Sequence, residues 1–406
     1  MKILKFFITR IFFKRPILVI SMITLLFIAN YLTFTAARSI ISTYQGYEEI
    51  GVLNKKGNYI ANLDPNSEVK FDNIKKKQSK EVYEYIDKNY KYAFESDGFI
   101  TSLKNKNDME VSLNYINESS HDINQFKLSQ GTDIDFDYDI KKDKIPVLIG
   151  AGLAKTYPVG SNIKVNDPAT NKPMNMKVTG VLEKNTHRSN FYAPNSKNYF
   201  NFSIFTPINQ DFIQNSNLDL QVNGLMEIVL LDTTKEKAMN LSKYIQDKID
   251  VKFNFFNQQE NFKYFEDYYV NSLKMISIIT LCLLIVITII AIWNTMMSIR
   301  LMIKDFTINL FVGLSYSKLR RIFYNYFGIL ISLNIVILLV ITAFNRYGAW
   351  LRKDAIFATY GVFGLIGMDW IAIVFVTIID IIIAIIIVEV SMRKIKKIPI
   401  SLGVTE

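Results

Sequence analysis

The chain has 406 residues, half of them hydrophobic, with 47 Lys and Arg against 37 Asp and Glu and a formal net charge of +10. This surplus is no nucleic-acid footprint, because residues 38–270 hold 29 basic and 31 acidic residues and the excess lies beside apolar segments, as orientation signal and lipid contact. One cysteine, Cys282, and two histidines, His121 and His187, exclude an internal disulfide framework and a Cys-based metal site, and disfavour a His-rich one.

Residues 1–15 intersperse Lys2, Lys5, Arg10, Lys14 and Arg15 with Phe and Ile, the pattern of a short helix in the cytoplasmic interface or of one packed on its own neighbours. Pro16 then opens a first span, 16–37, whose 22 uncharged residues exceed the apolar core of a signal peptide and predict an uncleaved helix. Residues 38–270 are too polar for lipid and form an extracytoplasmic domain. Within it, 145–149 is a compact apolar run that reads as a strand, 175–182 reads as a second strand bent at Gly180, and 227–231 as a third. Ala238, Leu241, Ile245 and Ile249 recur on one face of a helix over 234–249, so the domain is mixed α/β. Residues 50–125 show no clear pattern.

Residues 257–274, polar and aromatic without Pro or Gly, continue a second span outward as a helical stalk, and 271–300 hold the stalk end and the span itself. A cytoplasmic loop over 301–321 leads to a third span, 322–345. An external loop, 346–368, leads to a fourth, 369–392, and 393–406 form a tail. The shortest uncharged stretch, 370–388, is 19 residues broken only by Asp380. At 1.5 Å per residue it still covers about 28 Å. Basic residues precede the first span, fill the loop between the second and third, and follow the fourth. Together they predict four crossings of the cell membrane with both termini cytoplasmic. The fold class is therefore an α-helical membrane protein with four transmembrane helices and a large extracytoplasmic mixed α/β domain.

Several motifs invite chemistry and fail its requirements. Gly150 to Thr156 resembles a phosphate loop but lacks the Gly before Lys155; it reads as a strand end turning into a helix, and no other such loop exists to support ATP hydrolysis. Asp133, Asp135, Asp137 and Asp139 lack the Gly and Glu of a calcium-binding EF-hand loop, and their alternation with Ile134, Phe136 and Tyr138 places the carboxylates on one face of a strand. Asp380, in mid-span, either marks a transport pathway or makes a buried contact with Asn294, Ser332 or Asn334. Glu389 is expected to pair with Arg393 one turn on. No Ser-His-Asp set, zinc helix or paired-carboxylate site is recognisable, so no enzyme active site is expected.

The most specific stretch runs from Lys304 through Asp305, Ile308 and Gly313 to Ser315. It resembles the Arg-Glu-Ile-Gly-Ile-Leu-Arg-Ala-Leu-Gly-Ala-Ser signature of MacB/FtsX-type ABC transporter permeases, with Lys304, Asp305, Gly313 and Ser315 at the Arg, Glu, Gly and Ser positions and Ile308 at an apolar one. Asn309 and Leu310 depart from the family's Leu-Arg. A short helix ending at Gly313, followed by Ser315 capping the next helix, makes a compact knob. Gly131, the 145–150 run with Leu153, Ala154 and Lys155, then 163–165, 178–182 and 204–207, are similar in order to the family's MacB-like periplasmic core domain.

The resemblance implies a permease dimer, homomeric or heteromeric, whose coupling loop docks on a separate cytoplasmic ABC ATPase. The chain itself would bind no cofactor, ATP being held by that ATPase. Its other partners would be membrane lipid and an extracellular peptide or adaptor protein, with no nucleic acid. The implied activity is export of, or resistance to, a peptide or amphiphilic antimicrobial. The alternative is an FtsX-like regulator of a cell-wall hydrolase or sensor kinase. A passive anchor would have no use for the coupling knob.

Overall fold

Four apolar stretches become four long helices: α1 (Pro16–Ile50), α2 (Asn271–Leu301), α3 (Tyr316–Leu351) and α4 (Gly367–Ile395). Each is long and apolar enough to cross a membrane. The computed structural model describes residues 16–67, 70–103, 109–138, 144–190, 193–301, 308–310 and 313–397. The interfacial helix expected over 1–15, Asp139 and the end of the tail lie outside them. The chain divides into two units, one of Met1–Ile41, Asn271–Phe344 and Leu365–Glu406, the other of Ser42–Val270 and Asn345–Gly364.

In the helical unit, Val19, Met22 and Leu26, spaced three and four apart on α1, meet Phe323, Phe327 and Leu330 of α3 and Ala384, Ile387 and Val388 of α4. A second cluster joins Phe34 and Ala37 to Leu338, Ala372, Ile373 and Val376. By contrast, α2 buries little, and Ile278, Leu281, Ile285 and Ile289 are each more than half exposed. In water such a helix would aggregate, whereas in lipid its bare surface costs nothing. The helix expected over 257–274 begins at Gln258, where Asn257 Oδ1 accepts from the amide of Glu260 (2.9 Å) and Glu260 Oε2 accepts from that of Asn257 (3.0 Å). It passes through a π-helical stretch, Phe265–Val270, into α2.

The other unit is the mixed α/β domain. Its strands are β1 (Tyr59–Leu63), β2 (Lys91–Ala93), β3 (Glu95–Leu103), β4 (Met109–Ile116), β5 (Leu128–Gly131), β6 (Ile145–Ile149), β7 (Asn162–Asp167), β8 (Lys172–Leu182), β9 (His187–Ser189), β10 (Lys197–Tyr199), β11 (Ser203–Pro207), β12 (Val229–Leu231) and β13 (Phe253–Phe256). A seven-stranded sheet has the order β3-β4-β11-β6-β8-β5, with β7 also paired to β8. Two of its pairings, β4 with β11 and β6 with β8, are parallel. Every residue of β6 is buried, as its unbroken apolar run requires of a central strand covered on both faces. The expected bend at Gly180 is present as a register shift, with Val147 facing Val178 but Leu148 facing Gly180. The described residues also form a four-stranded antiparallel sheet, β13-β1-β12-β2, and a two-stranded one of β9 and β10.

The helix expected over 234–249 runs Lys235–Ile249, capped by Thr234, and buries Ala238, Leu241, Ile245 and Ile249 as its spacing requires. They share one core with Val82, Tyr83 and Ile86 of the helix Lys76–Asn89. Each fully buried side chain of this size contributes about 1.5–3 kcal/mol relative to exposure.

Two expectations need correcting. The stretch 133–138 is not a strand; it keeps the alternation of buried and exposed residues, but Asp133 pairs with His121 (3.0 Å) and Asp135 Oδ1 accepts from the amide of Asp137 (2.9 Å), so local side-chain bonds replace a ladder. Residues 151–156 form successive turns, not a helix, and Gly150 is needed because its backbone lies against 200–201, where an added methyl would overlap the carbonyl oxygen of Phe200. The connection between α3 and α4 is part of the α/β unit. Asn201 Nδ2 donates to the carbonyl of Ala358 (2.9 Å), Asn185 Nδ2 to that of Tyr360 (2.8 Å), and the amides of Tyr199 and Tyr360 donate to the Ile356 carbonyl (2.8 Å) and Asn185 Oδ1 (2.6 Å). Trp350 packs between Phe202 and Tyr360.

Gly150→Ala should therefore destabilise the α/β unit by about 1–3 kcal/mol or more, because the backbone opposite cannot yield as a side-chain tip would. Gly328→Ala in α3, where the methyl meets nothing, should be neutral or slightly stabilising. Thermal unfolding of the full chain in detergent checks both; equal melting temperatures for the two variants would contradict the packing described.

Candidate functional site

The sequence-predicted site residues separate into two places. Between α2 and α3, Ile308 stands on a short helical turn and is exposed. Gly313 has φ +99, and the amides of Gly313 and Leu314 donate to the carbonyls of Leu310 (3.1 Å) and Asn309 (3.0 Å). These are the paired bonds of a Schellman end, in which glycine takes the left-handed position. Ser315 Oγ then accepts from the amide of Lys318 (3.3 Å), capping the first turn of α3. Lys304 and Asp305 lie outside the described residues.

The second place is inside the helical unit. Asp380 is buried and its Oδ2 accepts from Asn30 Nδ2 at 2.9 Å. This corrects the expected partners. Asn294 Nδ2 instead donates to the Leu18 carbonyl (3.1 Å) and Ser21 Oγ (2.8 Å), Asn334 bonds back to Leu330 in its own helix, and Ser332 is exposed. The reason is which helices are neighbours: α1 lies against α4, which spacing along one helix cannot show. Eight residues further along α1, Arg38 Nε meets Asp369 Oδ1 (3.0 Å), and the fully buried Asp369 also accepts from the amide of Ile366 at the start of α4 (3.1 Å). Glu389 is corrected too. It accepts from the Tyr324 hydroxyl (2.9 Å) and lies 3.2 Å from Arg320 Nε, both on α3, so its partners are across the bundle and not at Arg393.

A third feature was missed. The α/β unit holds a cavity of about 550 Å³ lined by charged groups from β3, the 183–190 segment and the approach to β12. Glu49 accepts from Lys197 (2.7 Å) and Ser189 (2.6 Å) and lies 2.9 Å from His187 Nε2. Glu95, buried, pairs with Arg188 and accepts from Ser120 (3.1 Å). Asp97 accepts from Asn198 (2.9 Å). Glu227 has no hydrogen bond or ion pair among the described residues. Among the same residues no three His, Cys, Asp or Glu side chains are grouped to hold a metal ion. Glu49, the Glu95 and Asp97 pair, and Glu227 are far apart in sequence, which is why no spacing announced the cluster; Asn30, by contrast, was visible as an amide inside an apolar window.

No family model and no curated protein matches the chain. Among solved structures, it is similar to the extracellular domain of the noncanonic ABC-type transporter YknZ from Gram-positive bacteria, at 14% identity and a TM-score of 0.30 over 49% of this chain and 100% of that one. It is also similar to the periplasmic region of MacB from Actinobacillus actinomycetemcomitans, at 16% identity and a TM-score of 0.32 over 55% of this chain and 98% of that one. At these values the likenesses leave substrate and partner to be argued from the chain's own residues.

Asn30→Leu should leave both Asp380 oxygens buried without a partner and destabilise the folded chain in detergent by about 1–2 kcal/mol, whereas Asp380→Asn keeps a partner and should change stability little. Combining Asn30→Leu with Asp380→Leu should restore part of the loss. An Asp380→Asn chain that folds like the parent but no longer functions would assign Asp380 to transport and not to packing.

Proposed function

We propose that the chain is the membrane permease subunit of a MacB/FtsX-type ABC transporter, working with a separate ATPase and carrying no ATP site of its own. The observation that carries this reading is the element between α2 and α3. Its helical turn stops at a left-handed Gly313, and Ser315 starts α3 afresh two residues later. An added methyl at Gly313 meets no neighbour within 4 Å, and Ile308 is exposed, so the knob is available to a partner protein. It stands where the sequence resembles the family's ATPase-docking signature. In this reading the knob and both termini are cytoplasmic, as the basic flanks of the spans favour, and the α/β unit is outside. Two permease chains pair, and ATPase closure moves the outer units to expel a peptide or other amphiphilic antimicrobial.

Two measurements test this. Proline cannot adopt the φ of Gly313, and Asp305→Arg reverses a charge in the signature. Both variants should reach the membrane yet lose ATPase co-purification and resistance at matched expression, and parent-like behaviour of both would remove the loop from energy coupling. For sidedness, Cys282 is replaced by Ser and single cysteines are placed by Ser129→Cys or Ser315→Cys. An impermeant thiol reagent on intact cells should label only the first, and labelling of the second would refute the topology.

A further inference from the structure

The cavity of the α/β unit has a use that the coupling element does not explain. Three carboxylates share one region of its wall: Glu95 and Asp97 on β3, and Glu227 just before β12. Among the described residues, the cation that acts on them is Arg188 on β9, already paired with Glu95. Glu227 is reached by solvent yet crowded by protein, as expected of a side chain that projects into a cavity. Further along the wall, Glu49 is answered by Lys197 and His187, while Glu183, Lys127 and Lys184 line the remainder. Around the carboxylates, Leu53, Ile60, Phe126 and Val229 supply apolar surface. The volume falls in the range of about 300–1,000 Å³ usual for ligand sites.

We propose that this cavity binds a basic, amphiphilic peptide, holding one Lys or Arg side chain between Glu227 and Asp97 and the adjoining apolar side chain against Phe126 and Val229. Among the described residues no three His, Cys, Asp or Glu side chains are grouped to hold a metal ion, and a carboxyl group in a partly apolar cavity, neutral until a cation displaces its proton, favours an organic cation. The site is also proton-linked. Burial, and then repulsion from Asp97 and Glu95, push the Glu227 carboxyl up to about 8 against the pull of Arg188, and burial likewise raises Glu95. At pH 7 Glu227 therefore holds a proton. An entering ammonium or guanidinium pairs with the carboxylate, and that proton leaves to solvent, so affinity rises with pH and levels off above about 8. The inference deepens the permease reading and rests on it only for the side from which the peptide arrives.

The test uses the full chain in phosphatidylcholine nanodiscs without any ATPase, so its failure and that of the permease reading are distinguishable. The probe is a dye-labelled, N-acetylated and C-amidated octapeptide of alternating Leu and Lys, with a Leu-Gln octapeptide as neutral control, followed by fluorescence anisotropy at pH 6, 7 and 8. The parent should bind the Lys peptide saturably, about tenfold more tightly at pH 7 than at pH 6, as one linked proton requires, and at least about tenfold more tightly than the Gln peptide. Glu227→Gln should weaken binding at pH 8 and flatten the pH dependence. If that variant does not fold, Asp97→Asn should weaken binding of the Lys peptide and not of the Gln peptide. Equal affinity for the two peptides, pH-independent binding by the parent, or a pH dependence that survives in Glu227→Gln would each overturn the proposal.

Discussion

Inside a membrane-spanning bundle there is no water to answer a polar side chain, and the helical unit is organised by that constraint. Apolar contact between α1, α3 and α4 is abundant but unspecific, since lipid offers nearly the same contact. Direction and register come from the few polar groups. Asn30 with Asp380 and Arg38 with Asp369 tie α1 to α4 at two levels. Asn294 ties α2 to α1 through Ser21, and Glu389 joins α4 to α3 through Tyr324 and Arg320. Sliding one helix by a turn would leave a carboxylate or amide without a partner, a penalty of about 1–3 kcal/mol each. Among the described residues Asp380 keeps one oxygen unanswered even so, as does Asn334.

The α/β unit solves a different problem with the opposite material. Its core is held by water exclusion around β4, β6, β8 and β11, with a few small polar side chains such as Asn114 and Thr206 buried on the central strands. The concentration of Glu49, Glu95, Asp97 and Glu227 around one cavity is costly for stability, because two of these carboxyls are pushed up by burial and mutual repulsion. Carboxyls shifted in this way cluster at functional sites in proteins generally.

Much of this architecture was legible in the sequence because it follows from periods and lengths. The four spans, β6, the Gly180 irregularity and the buried face of Lys235–Ile249 all depend on local pattern. So did the Gly313 and Ser315 ends, whose chemistry is contained within a few residues. What could not be read was pairing. Asn30 opposite Asp380 is 350 positions away, and Glu389 chose α3 over its own Arg393 for reasons of helix packing alone. The 133–138 stretch misled because alternation records which residues are covered, not whether a neighbouring strand is there. Short strands such as β2 and β9, three residues each, carry too few positions to show a period.

The clamp on the α3–α4 connection bears on how the molecule is made. Asn201 and Asn185 hold Ala358 and Tyr360, 157 and 175 positions later in the chain, and Ala358 belongs to the main core of the α/β unit. A ribosome has finished β11 long before it makes these residues, so the growing domain waits with that part of its core uncovered. It can close only after α2 and α3 have been synthesised. Completion of the domain thereby requires that three of the four spans, α1, α2 and α3, already exist.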